Sequence, residues 1–232
     1  PHFVRHPEPP RVEDFLGSEA CAECHAEQAA AWSTSTHAKA GGPPDRVKLI
    51  APFDGTPIEL ADATVVPQVT AEGQHVFEVR GRAGWRARFA VDAVVGGGHM
   101  RGGGTQSFFS RFRDGTIRFL PFDFIRDEKV WFAQVKSGGL LPLGPEVSLA
   151  DVTNWPPVRA LGFADGLPDG CENCHGSQIE TRRDPATGRY DTHVTSFSIN
   201  CESCHGPGRR HVEWARSPGH EASDDVALEP LD

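Results

Sequence analysis

The chain has 232 residues, is 38% hydrophobic and 24% charged, and carries Lys+Arg 23 against Asp+Glu 32 for a net charge of −9, which predicts one large soluble domain with at most an appendage. That acidic balance excludes nucleic-acid phosphates as a natural partner, no apolar run approaches the roughly 18 to 20 residues of a membrane span, and the N-terminus lacks the basic and apolar regions of a signal peptide. Gly 25 and Pro 19 together make about 19% of the chain, well above the usual roughly 12%, and predict a loop-rich molecule.

In chain order, residues 1–16 carry four prolines without periodicity and read as an extended arm over a surface or a partner. A cysteine motif follows at residues 21–25, and AEQAAAWSTST, residues 26–36, opens with strong helix formers, predicting a short helix ended by Gly41-Gly42-Pro43-Pro44. From about 64 to 124 the pattern predicts strands: TVVPQV and HVFEVR flank a turn at 71–74, WRARFAVDAVV alternates, and SFFSRFR and TIRFLPF flank Arg113-Asp114-Gly115. Between the halves lies GGGHMRGGG, residues 96–104, which has no P-loop pattern and suits close approach to a flat cofactor. Residues 125–170 read as irregular connection, two further cysteine motifs follow at 171–175 and 201–205, and residues 217–232 read as a frayed acidic tail. The domain reading is an arm (1–16), one domain (17–216) that holds all three cysteine motifs, and the tail (217–232).

The six cysteines fall into three pairs of identical spacing, Cys21/Cys24, Cys171/Cys174 and Cys201/Cys204, each followed at once by a histidine: His25, His175 and His205. CxxCH is the attachment signature of c-type haem. Two thiols three positions apart add to the two vinyl groups of one porphyrin, and the adjacent imidazole reaches the iron as proximal ligand. A disulfide framework belongs to shorter chains and requires no histidine after each pair. A zinc site built from Cys171, Cys174, Cys201 and Cys204 leaves the first pair and all three histidines unexplained. Three covalent haems c are therefore expected, with the second and third as near neighbours. Attachment to reduced thiols places the chain outside the bacterial cytoplasmic membrane, in the periplasm or at the cell exterior.

Three irons with one proximal histidine each call for three further ligands. The candidates are His37, His99 and His211, with His193 and Met100 as alternatives. His75 reads as an ordinary hairpin residue, and His2 and His6 could ligate only if the arm folds back. His37 lies twelve residues after His25, about 18 Å away along a helix, whereas two axial nitrogens on one iron stand about 4 Å apart, so His37 serves another haem. His211, a short loop beyond His205, is likewise expected to reach a neighbouring haem. Trp32, Trp85 and Trp214 are expected against haem faces, and Lys39, Arg101, Arg209 and Arg210 beside haem propionates.

Residues 17–40, GSEACAECHAEQAAAWSTSTHAKA, and residues 199–215, INCESCHGPGRRHVEWA, resemble the multihaem c-type cytochromes grouped around the tetrahaem cytochrome that accepts electrons from hydroxylamine oxidoreductase. That grouping includes multihaem cytochromes with tetratricopeptide repeats. The resemblance implies bis-histidine haems, with His37 of the WxxSxHA pattern and His211 of the CHGPGxxH pattern as distal ligands, and it favours His99 in the glycine-rich segment. Three motifs stand here where the tetrahaem member has four.

The fold expected is a multihaem cytochrome c, mostly irregular with short α-helices at the haem motifs and a small antiparallel β-sheet over about residues 64–124, because haem-dense proteins spend their core on porphyrin. The function expected is electron transfer between redox protein partners. The alternatives are an enzyme acting on a small nitrogen or sulfur compound at a five-coordinate haem, with His193 or Asp191 as proton donor, and a subunit of a larger complex or filament.

Overall fold

The computed structural model describes residues 10–47, 49–97, 104–162 and 176–219. Alternating apolar residues and glycine-bearing turns produce β1 (Gly41–Gly42), β2 (Ile58–Glu59), β3 (Ala63–Val69), β4 (His75–Gly81), β5 (Arg86–Ala90), β6 (Ala93–Gly96), β7 (Thr105–Arg111), β8 (Ile117–Ile125), β9 (Val130–Gln134), β10 (Leu140–Pro142), β11 (Ser177–Arg183) and β12 (Tyr190–Ser196). Among the described residues four short α-helices flank this β region in sequence: α1 (Ser18–Ala22), α2 (Ala26–Ser33), α3 (Glu202–His205) and α4 (Arg209–Ala215).

Every strand pairing among the described residues is antiparallel. The strands form a six-stranded sheet in the order β1-β6-β7-β8-β9-β10, a four-stranded sheet β2-β3-β4-β5 and the hairpin β11-β12. The six-stranded sheet is the middle layer. One face packs against the four-stranded sheet through Phe77, Val65 and Val79 on one side and Phe108, Leu120, Phe122 and Trp131 on the other. Phe53 wedges between them, edge-on to Phe77 at 5.1 Å and to Phe108 at 5.4 Å, and rings at such spacings add to what burial alone contributes. The opposite face buries Ala93, Val95, Phe109, Ile117 and Leu161, against which Phe119, Ile179, Val194 and Phe197 pack.

The expectation of a mostly irregular chain with one small sheet is therefore wrong: the protein is mostly β, in three sheets. Its core is made of side chains rather than left to porphyrin, with Phe77, Phe108, Phe122 and Leu120 fully buried. The irregular reading of 125–170 misses β9 and β10, whose few residues are too short to show a period. The alternating run 85–95 is not one strand but two: β5 ends at Ala90, β6 begins at Ala93, and they belong to different sheets. Hairpin β11-β12 carries Thr, Arg and Glu where a strand reading looks for apolar alternation. The helix after the first motif stops at Ser33, and Gly41-Gly42 is a strand. A Cβ on Gly41 would stand 2.3 Å from Phe197 O and 2.8 Å from Val94 O, so glycine there permits the hairpin end to dock on the sheet edge.

Among the described residues no helix is long and apolar enough to cross a membrane.

Candidate functional site

The first and third cysteine motifs adopt the same backbone wrap. In the first, the N–H groups of Cys24 and His25 both return to Cys21 O, at 3.3 and 2.9 Å. In the third, Cys204 and His205 return to Cys201 O at 3.2 and 3.1 Å. This turn sets two thiols and an imidazole on one short arc, as double thioether attachment requires. None of Cys21, Cys24, Cys201 and Cys204 is in a disulfide, and Cys24 and Cys204 are exposed. After His205 the chain leaves through Gly206 at φ +80°, a conformation open to glycine and costly for other residues.

The two motifs touch, although about 180 residues separate them. Ser18 Oγ accepts from Cys201 N at 3.2 Å and lies 3.3 Å from Cys201 Sγ. Burial, with the Cys201 thiol beside it, pushes the Cys21 thiol up to about 11. Glu202, inside the third motif, is 1% exposed. Its carboxylate accepts from Leu16 N at 2.9 and 3.0 Å, from Gly17 N at 2.7 Å and from Gly208 N at 2.7 Å. Three backbone donors converge on it, which suits a carboxylate.

Helix α4 lies against the first motif. Arg216, just past its end, pairs with Glu23, and the ring centroids of His211 and His25 stand 6.2 Å apart with their planes at 27°. Two imidazoles sharing one iron, each about 2 Å from it through nitrogen and about 1 Å more to the ring centre, stand roughly 6 Å apart. On that spacing, His25 and His211 are the residues that would hold the iron of a haem tethered at Cys21 and Cys24. Trp214 flanks His211 at 5.7 Å.

His37 lies beside the third motif: its carbonyl accepts from Ile199 N at 3.2 Å, and the Trp32 indole donates to Ile199 O at 2.9 Å. Cys171, Cys174, His175, His99, Met100, Arg101, His2 and His6 lie outside the described residues. The chain leaving the second motif is fixed at Ser177, whose buried hydroxyl bonds Ser198 O at 2.7 Å, Ser203 Oγ at 2.6 Å and Asn200 N at 3.1 Å, next to the third motif. His193 is exposed on β12 and bonds Thr195 Oγ1 at 3.1 Å; Asp191 is exposed on the same strand. His75 packs edge-on to Phe53 at 5.1 Å. Trp85 belongs to the sandwich, where it meets Trp155 at 5.8 Å, and not to a motif. Arg209 donates to Glu13 O at 2.6 Å and Lys39 to Thr34 O at 2.7 Å.

Beside the first motif a cleft of about 900 Å³ opens between α2, β1 and β12, lined by Trp32, Lys39, Arg46, Arg111 and Phe197 among others. Sequence reasoning missed Ser18, Glu202 and the cleft cations Arg46 and Arg111. Nothing marks Glu202 in a linear reading, since the middle positions of CxxC are free to vary chemically and two of its three partners lie 185 and 186 residues away.

Residues 20–47, which hold the first motif and His37, match the family model described as cytochrome c554 and c-prime. That match and the CxxCH motifs support an electron-transfer cytochrome of the c type with covalently bound haem c. Among solved structures, the crystal structure of the outer cell wall cytochrome OcwA is similar over 94% of this chain and 35% of that one, at 16% identity and a TM-score of 0.49; the chain thus spans about a third of that cytochrome's length. No curated protein matches.

Proposed function

We propose that the chain is a trihaem c-type cytochrome that carries electrons between redox protein partners through low-spin haems, each held by two histidines. The observation that carries this reading is the 6.2 Å spacing of the His25 and His211 ring centroids. Haem c, when bound, supplies one-electron chemistry at iron. The residues do the rest: Cys21 and Cys24, Cys171 and Cys174, and Cys201 and Cys204 tether the porphyrins, and His25, His175 and His205 are proximal ligands. His211 closes the iron of His25, which keeps small molecules from it. His37, tied to Ile199, serves a haem other than that of His25, and His99 is the third distal ligand. The cleft cations Lys39, Arg46 and Arg111 suit propionate carboxylates. The location is extracytoplasmic, periplasmic or at the cell surface, and other cytochrome subunits are fitting partners.

The test is the absorption spectrum of the purified protein, oxidised and dithionite-reduced, with and without carbon monoxide. Sharp reduced c-type bands unmoved by carbon monoxide are expected. A Soret shift in the unaltered protein would instead indicate an open iron and an enzyme. His211→Ala is expected to open a single haem, seen as carbon monoxide uptake at that haem alone with the other two spectra unchanged.

A further inference from the structure

Glu202 stands where the two described motifs meet. It is the second residue of the third CxxCH, yet its side chain turns away from its own motif and closes two gaps at once. Through Oε2 and Oε1 it takes the N–H groups of Leu16 and Gly17, the residues that lead into α1 and the first motif. Through Oε1 it also takes the N–H of Gly208, which precedes α4 and so sets where His211 begins its approach to His25. The carboxylate is 1% exposed, and a Cβ on Gly208 would stand only 3.0 Å from Oε1. The joint therefore has little slack. Ser18 adds a lighter contact between the same two motifs, through Cys201 N.

We infer that Glu202 is the positioning residue of the haem pair: its carboxylate locks the first and third motifs together and holds His211 over the iron of His25, and its charge lies between the two haem seats. This rests on the reading of His25 and His211 as one axial pair. A neutral amide of the same size cannot serve all three donors, because its NH₂ end is itself a donor and leaves a backbone N–H facing another N–H. A negative charge held in a low-dielectric joint favours the oxidised, more positive state of a neighbouring iron, so its loss raises that iron's potential.

The experiment compares the wild-type holoprotein with Glu202→Gln, Gly208→Ala and Ser18→Ala, each carrying three haems by pyridine haemochrome assay. The readouts are the reduced spectrum with and without carbon monoxide and a potentiometric titration. Glu202→Gln is expected to take up carbon monoxide at a single haem and to move the potentials of two of the three haems upward, whereas Ser18→Ala stays closed with unmoved potentials. Glu202→Gln with a closed spectrum and wild-type potentials would overturn the inference, and so would Ser18→Ala behaving identically to it, since the effect would then be general loosening. If Glu202→Gln does not mature, Gly208→Ala decides: carbon monoxide uptake at one haem supports the lock, and a closed spectrum overturns it. Carbon monoxide uptake by the wild-type protein would mean that the axial pairing itself is wrong, an outcome distinct from failure of the lock.

Discussion

Asp123, on β8, shows how one side chain ties stability to pH. Its Oδ1 is shut off from solvent without a hydrogen-bond partner among the described residues, and burial, against a single bond from Ser107, pushes the carboxyl up to about 7. The folded protein then keeps a proton that the unfolded chain releases near 3.8. Asp123 therefore costs nothing below that pH, and stability falls as pH rises from about 4 to about 7, by on the order of 2 to 4 kcal/mol. Asp123→Asn is expected to melt higher than wild type at pH 8 and close to it at pH 4.5, which thermal unfolding at the two pH values checks; an equal shift at both would sink the argument. At this scale the sequence was most legible where covalent chemistry sets spacing: CxxCH stands out because two thioether bonds to one porphyrin and an adjacent iron ligand call for it, and its two described copies share one backbone wrap. Asp123 and Glu202 stayed hidden because a buried carboxylate is defined by neighbours distant in sequence, not by any local pattern.

Among elements, the hairpins with glycine turns were readable. β3-β4 and β7-β8 lie where alternation and the turns at Gly73 and Gly115 put them, with Gly73 at φ +82° and Gly115 at φ +94°. Strands of few residues or of polar composition were not. β11 and β12 hold together by a ladder from Ser177↔Ser196 to Arg183↔Tyr190, and only Ile179 and Val194 of the pair pack into the core. That leaves no apolar stripe for a sequence reading to find. β1 is the extreme case, two glycines whose worth is the room they leave. Gly41→Ala is expected to destabilise the fold by on the order of 3 kcal/mol, since its Cβ would meet backbone oxygen that cannot swing aside. Melting followed by circular dichroism tests this, and a variant as stable as wild type would show that the docking of Phe197 on the sheet edge is soft.

For the whole molecule, the error in the expected fold has a physical source. Haem-dense chains were expected to rely on porphyrin for their interior, yet this one builds a sandwich with its own aromatic core and gathers the described motifs on the far side of the middle sheet. Core and site are thus separable. Phe77→Ala, which empties a fully buried position, is expected to lower stability by about 3 to 5 kcal/mol while leaving the haem spectrum of the folded protein unaltered below its melting point. A changed Soret band at low temperature would show instead that the sandwich shapes the haem seats. The contact between Leu16 and Glu202, 186 positions apart, bears finally on how the chain is made. The first motif is synthesised well before the third, at roughly 5 to 20 residues per second. If His211 is the partner of His25, the haem at the first motif waits, with one face bare, until almost the last of the described chain arrives. On that proposal the maturing chain passes through a reactive state, and the order of haem insertion becomes as much a part of its design as its final geometry.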